Sequence, residues 1–167
     1  LISVGPFIYS GAIIIFPITY IFGDILTEVY GYSKSRRIIW NGFFALIFMS
    51  FVFWLVEILP AAPFWQHQEA YKAILGLVPR IVFASILGYF AGEFSNSYVL
   101  SKLKLLTKGR HLWVRTISST IVGEGVDTII FVTVAFYGVI PGIVLVTAII
   151  SGYLFKVVYE VVATPIT

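Results

Sequence analysis

The sequence has 167 residues, enough for one ordinary domain, but its composition excludes a domain that faces water on all sides. Apolar residues make up 59% of the chain and charged residues 11%, whereas soluble domains carry about a quarter charged residues. The net charge is +3, and most of the basic residues lie in short linkers between apolar runs. This pattern is typical of membrane proteins and not of nucleic-acid binding. The sequence has no cysteine, which excludes disulfides and thiolate metal sites.

Five apolar segments are long enough to cross a bilayer, which takes about 20 helical residues. Their apolar runs, such as Ile129–Val132, do not alternate with polar residues as the strands of a membrane barrel do. We therefore predict an all-α integral membrane protein that forms one transmembrane helical domain over 1–167. The predicted spans are about 4–25, 38–59, 77–99, 116–137 and 141–163.

The basic residues predict the orientation of these spans. Eight of the 11 lysines and arginines lie in two alternate linkers, so the positive-inside rule places 30–37 and 100–115 in the cytoplasm. In a plasma (inner) membrane, the chain would then begin on the exterior side and end on the cytoplasmic side. Because it also starts within an apolar run and without Met, we expect a further helix to precede it. The eight residues are Lys34, Arg36, Arg37, Lys102, Lys104, Lys108, Arg110 and Arg115.

Ionisable residues inside the spans are the candidate functional groups. Each costs about 2.5–3.5 kcal/mol at a helix centre on insertion scales, so its presence there needs a reason. His67 and His111 are expected in solvated loops, without carboxylates at metal-ligand spacing, and no metal site is predicted. The candidates are Asp24 and Glu28 near the end of span one, Glu93 with Asn96 in span three, Glu124 with Asp127 in span four, and Lys156 with Glu160 in span five.

Span four carries a polar stripe on an otherwise apolar helix. Its members follow the three-or-four-residue step of one helical face, which must meet protein or water and not lipid. Glu124 and Asp127 lie one turn apart and repel each other unless a cation, water or ligand compensates. We predict that both converge with Lys156 on one wet pocket, although Lys156 and Glu160 could instead only fasten two helices. The stripe is Thr116, Thr120, Glu124, Asp127 and Phe131.

Several blocks of the sequence match a known pattern. Phe16-Pro17, followed by Gly23–Gly31 and Arg36-Arg37, resembles the DxxTExYG…RR signature of the queuosine precursor transporter family, also called the vitamin uptake transporter family. Later blocks fit in the same order and extend the resemblance over nearly the whole chain. They are Arg80–Ser85 with Gly92-Glu93, Ser118–Thr120 through Asp127-Thr128, and Phe155-Lys156.

The resemblance implies six helices in the intact protein, arranged like the substrate-binding component of energy-coupling-factor vitamin importers. It also implies uptake of 7-deazaguanine bases, such as 7-cyano-7-deazaguanine. One carboxylate, Asp127 or Glu124, would accept the N–H and amino group of such a base, and Lys156 or Arg80 would meet its carbonyl. The predicted substrate site also includes the stacking candidates Phe90, Phe131 and Tyr153, and the polar residues Glu93, Asn96, Thr120 and Asp24.

We therefore predict a solute carrier for a deazapurine base in a lipid bilayer, with proton coupling as a further hypothesis because buried acids can exchange protons. The alternative is a substrate-binding membrane subunit that needs a separate ATPase module, since the sequence contains no GxxxxGK[ST] loop. An intramembrane enzyme would need a nucleophile–base pair or a metal site, and neither is found. We expect no catalytic residue and no cofactor, and homo-oligomerisation stays open.

Overall fold

The computed structural model describes residues 1–15, 18, 26, 29–108, 110 and 112–163. A short antiparallel hairpin, β1 (Ile2–Val4) and β2 (Phe7–Tyr9), is followed by a 3-10 turn over Gly11–Ile14. The helices of the described residues are α1 (Tyr32–Ile58), α2 (Gln68–Leu75), α3 (Val78–Leu106), α4 (Leu112–Phe136) and α5 (Gly142–Ala163).

Four helical segments of the described residues are long and apolar enough to cross a membrane: Ser33–Ile58, Gln68–Leu106, Val114–Phe136 and Gly142–Tyr159. They overlap the second to fifth predicted spans. Large apolar side chains point outward, as Phe44 (73% exposed) and Ile143 (76%) do, while the buried positions hold small residues such as Ala84 and Ser119. Such an inverted distribution is typical of helices packed in lipid, and the all-α membrane class is confirmed.

The N-terminal segment differs from the prediction of one helix over 4–25. Gly5 and Pro6 form a two-residue turn in which Gly5 has φ of 59°, and Val4 pairs with Phe7 across it. A glycine with positive φ at the first turn position closes a hairpin, and flanking β-branched residues favour strands. The predicted helix start near Val4 is therefore wrong. Of residues 16–25, only Ile18 lies within the described part of the chain.

The helix ends also extend beyond the predicted spans. α1 begins at Tyr32 and α3 continues to Leu106, so most of the segments predicted as loops 30–37 and 100–115 are helical. Lysine and arginine are good helix formers, and a helix continues past the hydrocarbon region into headgroups and water. Hydropathy marks only the apolar part of such a helix. The cytoplasmic placement of these basic segments stays a prediction.

Glycines set the close approach of α3 and α4, the most extensive helix contact among the described residues. A methyl group added at Gly92 would lie 2.9 Å from Cβ of Asp127 and 3.0 Å from the carbonyl oxygen of Gly123. One added at Gly123 would lie 2.8 Å from Cβ of Asn96. The two backbones therefore touch, as small residues allow in membranes. α5 packs on α4, α1 packs on α3, and β2 lies against α5.

Candidate functional site

Three ionisable side chains meet between α4 and α5. Nζ of Lys156 lies 2.9 Å from Oε2 of Glu124 and 2.5 Å from Oδ2 of Asp127. The two acids are three residues apart on α4 and so share one face, while Lys156 reaches them from α5. The three side chains are only 18–25% exposed. The predicted convergence of Glu124, Asp127 and Lys156, here called the ion triad, is confirmed.

The charges of the ion triad do not cancel. One ammonium and two carboxylates carry a formal charge of −1 when all three are ionised. Lys156 donates a hydrogen bond to Asp127 and forms an ion pair with Oε2 of Glu124. Oε2 of Glu124 is buried beside Lys156, and an ionised carboxylate has two oxygens that can each accept more than one donor, so the acid retains capacity to accept a ligand.

A cavity of about 230 Å³ lies against the ion triad. This volume is just below the 300–1,000 Å³ range of pockets that hold drug-sized ligands, so it suits a smaller solute. α3 supplies one wall, α4 a second, and Lys156 on α5 closes the third. We call it the central cavity. Its lining is Tyr89, Gly92, Glu93, Asn96, Thr120, Gly123, Glu124, Asp127 and Lys156.

Two further cavities adjoin the central one. A mostly apolar cavity of about 290 Å³, the outer cavity, shares Asp127 and Lys156 with it and is lined by Phe131 and Phe136. A larger one of about 720 Å³, the inner cavity, lies between α1 and α3. It shares Tyr89, Glu93 and Asn96 with the central cavity. The central cavity therefore adjoins each of the other two through different residues.

Most of the predicted site residues line these cavities. The central cavity contains six of them: Asp127, Glu124, Lys156, Glu93, Asn96 and Thr120. Phe131 lines the outer cavity and Phe90 the inner one. Tyr153 packs instead against Gly125, where an added methyl group would lie 3.4 Å from its ring. Asp24 lies outside the described residues.

Arg80 is placed away from the ion triad. Its Nε donates to the carbonyl of Val134 and its Nη2 to that of Tyr137, each at 2.6 Å. The last carbonyls of a helix have no partner within the helix, and a cation is favourable beside them. Arg80 thus caps the end of α4, and the structure offers no support for its predicted contact with the carbonyl of the ligand.

Tyr89 is a lining residue that the sequence prediction missed. It lies one turn before Glu93 on α3 and so shares its face, a spacing that could have indicated it. Its ring contacts those of Phe43 and Phe90. Among the described residues, no group of three or more His, Cys, Asp or Glu side chains could hold a metal ion.

Comparison with known proteins identifies the family. Residues 10–167 match the family described as "Putative vitamin uptake transporter". The chain belongs to this family. The predicted resemblance is thereby confirmed, and the family is one of transporters and not of enzymes. No solved structure matches the chain, and the likeness to energy-coupling-factor components stays a prediction.

Curated relatives carry a more specific name. A "Probable queuosine precursor transporter" of Bacillus subtilis is 34% identical over 143 residues, which are 85% of this chain and 62% of the relative. The "Queuosine precursor transporter" of Escherichia coli is 27% identical over 122 residues, 73% of this chain and 52% of the relative. The chain thus spans about half to three-fifths of the length of these relatives.

Proposed function

We propose that this protein is a membrane transporter that imports queuosine precursors, 7-deazaguanine bases such as 7-cyano-7-deazaguanine, into the cytoplasm. The names of the relatives from Bacillus subtilis and Escherichia coli support this proposal. The observation that carries it is the contact of Lys156 with both Glu124 and Asp127 at the wall of a cavity inside the bundle. Ionisable groups at that depth are characteristic of solute and ion pathways.

The ion triad has a hydrogen-bonding order that complements such a base. A guanine-like edge presents a carbonyl, a ring N–H and an amino group in a row: one acceptor and two donors. Lys156 beside Glu124 offers the reverse, an ammonium donor next to a carboxylate with two acceptor oxygens. Lys156 lies closer to Asp127 (2.5 Å) than to Glu124 (2.9 Å), so Glu124 is the less tightly paired of the two acids. The proposal therefore assigns the donor edge to Glu124 and the carbonyl to Lys156.

The unbalanced charge of the ion triad supports proton coupling as the energy source. A neutral base bound beside Glu124 leaves the formal charge of −1 in place, in a site with little access to water. Uptake of one proton by Asp127, the acid that does not hold the donor edge of the base, would neutralise the site and link the movement of the base to that of the proton. A ligand with a cationic aminomethyl group would balance the charge itself, through Asp127.

The orientation of the basic segments supports an inner-membrane location. With 30–37 and 100–115 in the cytoplasm, α1 begins and α3 ends on the cytoplasmic side. The inner cavity, which includes Ser35 and Arg36 from the first turns of α1, then lies toward the cytoplasm. The outer cavity lies on the opposite side of the ion triad.

The proposal is tested by uptake of labelled 7-cyano-7-deazaguanine into cells that cannot make it, read out as queuosine in tRNA. Glu124→Gln replaces an acceptor oxygen with a donor that opposes the donor edge of the base, so queuosine should be lost while the protein stays in the membrane. Glu69→Gln, on the exposed first turn of α2, is the matched control and should transport normally. Normal uptake by Glu124→Gln at limiting substrate would contradict the assignment.

Proton coupling needs its own experiment. The purified protein in vesicles without ATP should accumulate the base when an inward proton gradient is imposed, and a protonophore should abolish accumulation. Accumulation that occurs only after an ATPase module is added would instead show a substrate-binding subunit.

A further inference from the structure

The inner cavity has an aromatic wall built from two helices. Trp40 and Phe43 come from α1, and Tyr89 and Phe90 from α3. The ring centroids of Phe43 and Tyr89 are 5.1 Å apart, and those of Trp40 and Phe90 are 5.6 Å apart. Aromatic side chains are the platforms on which nucleobases of any kind stack, because every base has a π face. The wall is therefore suited to a flat heterocycle.

Hydrogen-bond acceptors lie at the edge of this wall. Glu93 and Asn96, one turn apart on α3, line both the inner and the central cavity. Oδ1 of Asn96 is buried and accepts no hydrogen bond, which is unusual for a buried polar atom and leaves it able to accept one. A carboxylate beside an unsatisfied amide oxygen favours a ligand that presents donors.

The size and position of the inner cavity suit a second binding position next to the central cavity. Its volume of about 720 Å³ is well within the range of ligand pockets and larger than that of the central cavity. Tyr89, Glu93 and Asn96 belong to both cavities, so the central and inner cavities adjoin across these three side chains, and a solute that leaves the ion triad on the side of α1 must pass between or beside them.

We propose that the inner cavity is a second binding position for the same flat, donor-bearing heterocycle, stacked on Trp40 and hydrogen-bonded to Glu93. This inference rests on the proposed function and adds a release position to it, between the ion triad and the side of Arg36. The two positions share Tyr89, Glu93 and Asn96 of α3, so the same polar side chains, Glu93 and Asn96, face a base in either position.

Stoichiometry tests this proposal directly. Equilibrium dialysis of the purified protein against labelled 7-cyano-7-deazaguanine should give two bound molecules per chain in the wild type. Lys156→Met should retain the inner one, and Trp40→Leu the central one. Loss of a base–aromatic stack should weaken the inner position about 5- to 150-fold. Trp54→Leu is the matched control, because Trp54 lies on the same helix, is 47% exposed against 50% for Trp40, and lines none of the three cavities.

Thiol labelling identifies the position itself, since the chain has no native cysteine. Ser97→Cys places a thiol in the inner cavity, and Ser101→Cys places one a turn further along α3, outside it. Saturating base should protect Cys at position 97 from N-ethylmaleimide but not Cys at position 101. This protection should persist when Lys156→Met is added and disappear when Trp40→Leu is added.

The outcomes separate this proposal from the proposed function. A single bound base that Trp40→Leu retains, together with normal uptake, would overturn the second position and leave the transporter intact. Protection at position 97 that disappears with Lys156→Met and survives Trp40→Leu would overturn it as well, since protection would then come from the central site. A wild type that neither binds nor imports the base would overturn both.

Discussion

Lys156 and Asp127 form the partition between two cavities. Their 2.5 Å contact joins α5 to α4, and both residues line the central cavity on one side and the outer cavity on the other. A solute that crosses the bundle by this route must separate them or pass beside them. Because Lys156 also contacts Glu124, it can leave Asp127 without losing all of its negative partners.

Removal of the cation should destabilise the protein as well as stop transport. Lys156→Met leaves two neighbouring carboxylates without compensation, at a cost of about 1–3 kcal/mol. This is less than the 3–5 kcal/mol of a fully buried pair, because the side chains keep 18–25% exposure. Thermal unfolding in detergent measures the change. The double variant Lys156→Met, Asp127→Leu removes one of the two carboxylates and their repulsion, so it should recover part of the stability but not the uptake. Equal instability of both variants would contradict this account.

Asp127→Asn should abolish uptake while leaving the protein in the membrane. Asparagine keeps the shape of the side chain but removes the charge that holds Lys156 in place. Radiolabelled uptake normalised to membrane content is the measurement. Glu57→Gln, which changes an acid at the C-terminal end of α1 that lines none of the three cavities, serves as the control. Wild-type rates with Asn at position 127 would remove this residue from the site.

The contact between α3 and α4 should not tolerate a side chain. Gly92→Ala places a methyl group 2.9 Å from Cβ of Asp127 and against the backbone of Gly123, and such overpacking typically costs about 1–3 kcal/mol. Gly42→Ala, on α1 with no atom within 4 Å, should instead be neutral or stabilising by up to about 1 kcal/mol. Unfolding midpoints of the two variants test the difference, and an unchanged midpoint for Gly92→Ala would show that the helices are not this close.

Arg80 should act on stability and not on substrate affinity. Arg80→Gln loses the two hydrogen bonds to the carbonyls of Val134 and Tyr137, which should lower stability by about 1–2 kcal/mol. The dissociation constant of the base for the folded protein should stay unchanged in equilibrium dialysis. A large loss of affinity with an unchanged unfolding midpoint would instead support the predicted contact between Arg80 and the carbonyl of the ligand.

The sequence predicts the ion triad because an ionised side chain within a membrane span costs free energy and needs a compensating partner. Glu124 and Asp127 share a face by their spacing alone, and Lys156 is the one cation of the sequence deep within a predicted span, so their meeting follows from the need for compensation. The apolar N-terminal run carries no such signal. A short apolar segment is compatible with a strand or with a helix, and the turn at Gly5 and Pro6 decides for a strand hairpin here.

Tertiary packing decides the features that the sequence left open. The sequence places Arg80 at the start of a span, which is compatible with a ligand contact and with a structural role. Only the position of the end of α4 reveals that Arg80 binds backbone carbonyls. Trp40 and Phe43 are two aromatic residues among many, 17% of the chain, and nothing in their spacing distinguishes a cavity wall from a lipid-facing surface. The contact of α1 with α3 makes that distinction.

The touching backbones at Gly92 and Gly123 restrict how the protein can change shape. Two helices in such close contact resist sliding or tilting against each other, so we expect α3 and α4 to behave as a rigid frame. Rearrangement between outward-open and inward-open states would then fall to the neighbours of this frame. α5 would carry the ammonium of Lys156 toward or away from the carboxylates, and α1 would widen or narrow the inner cavity.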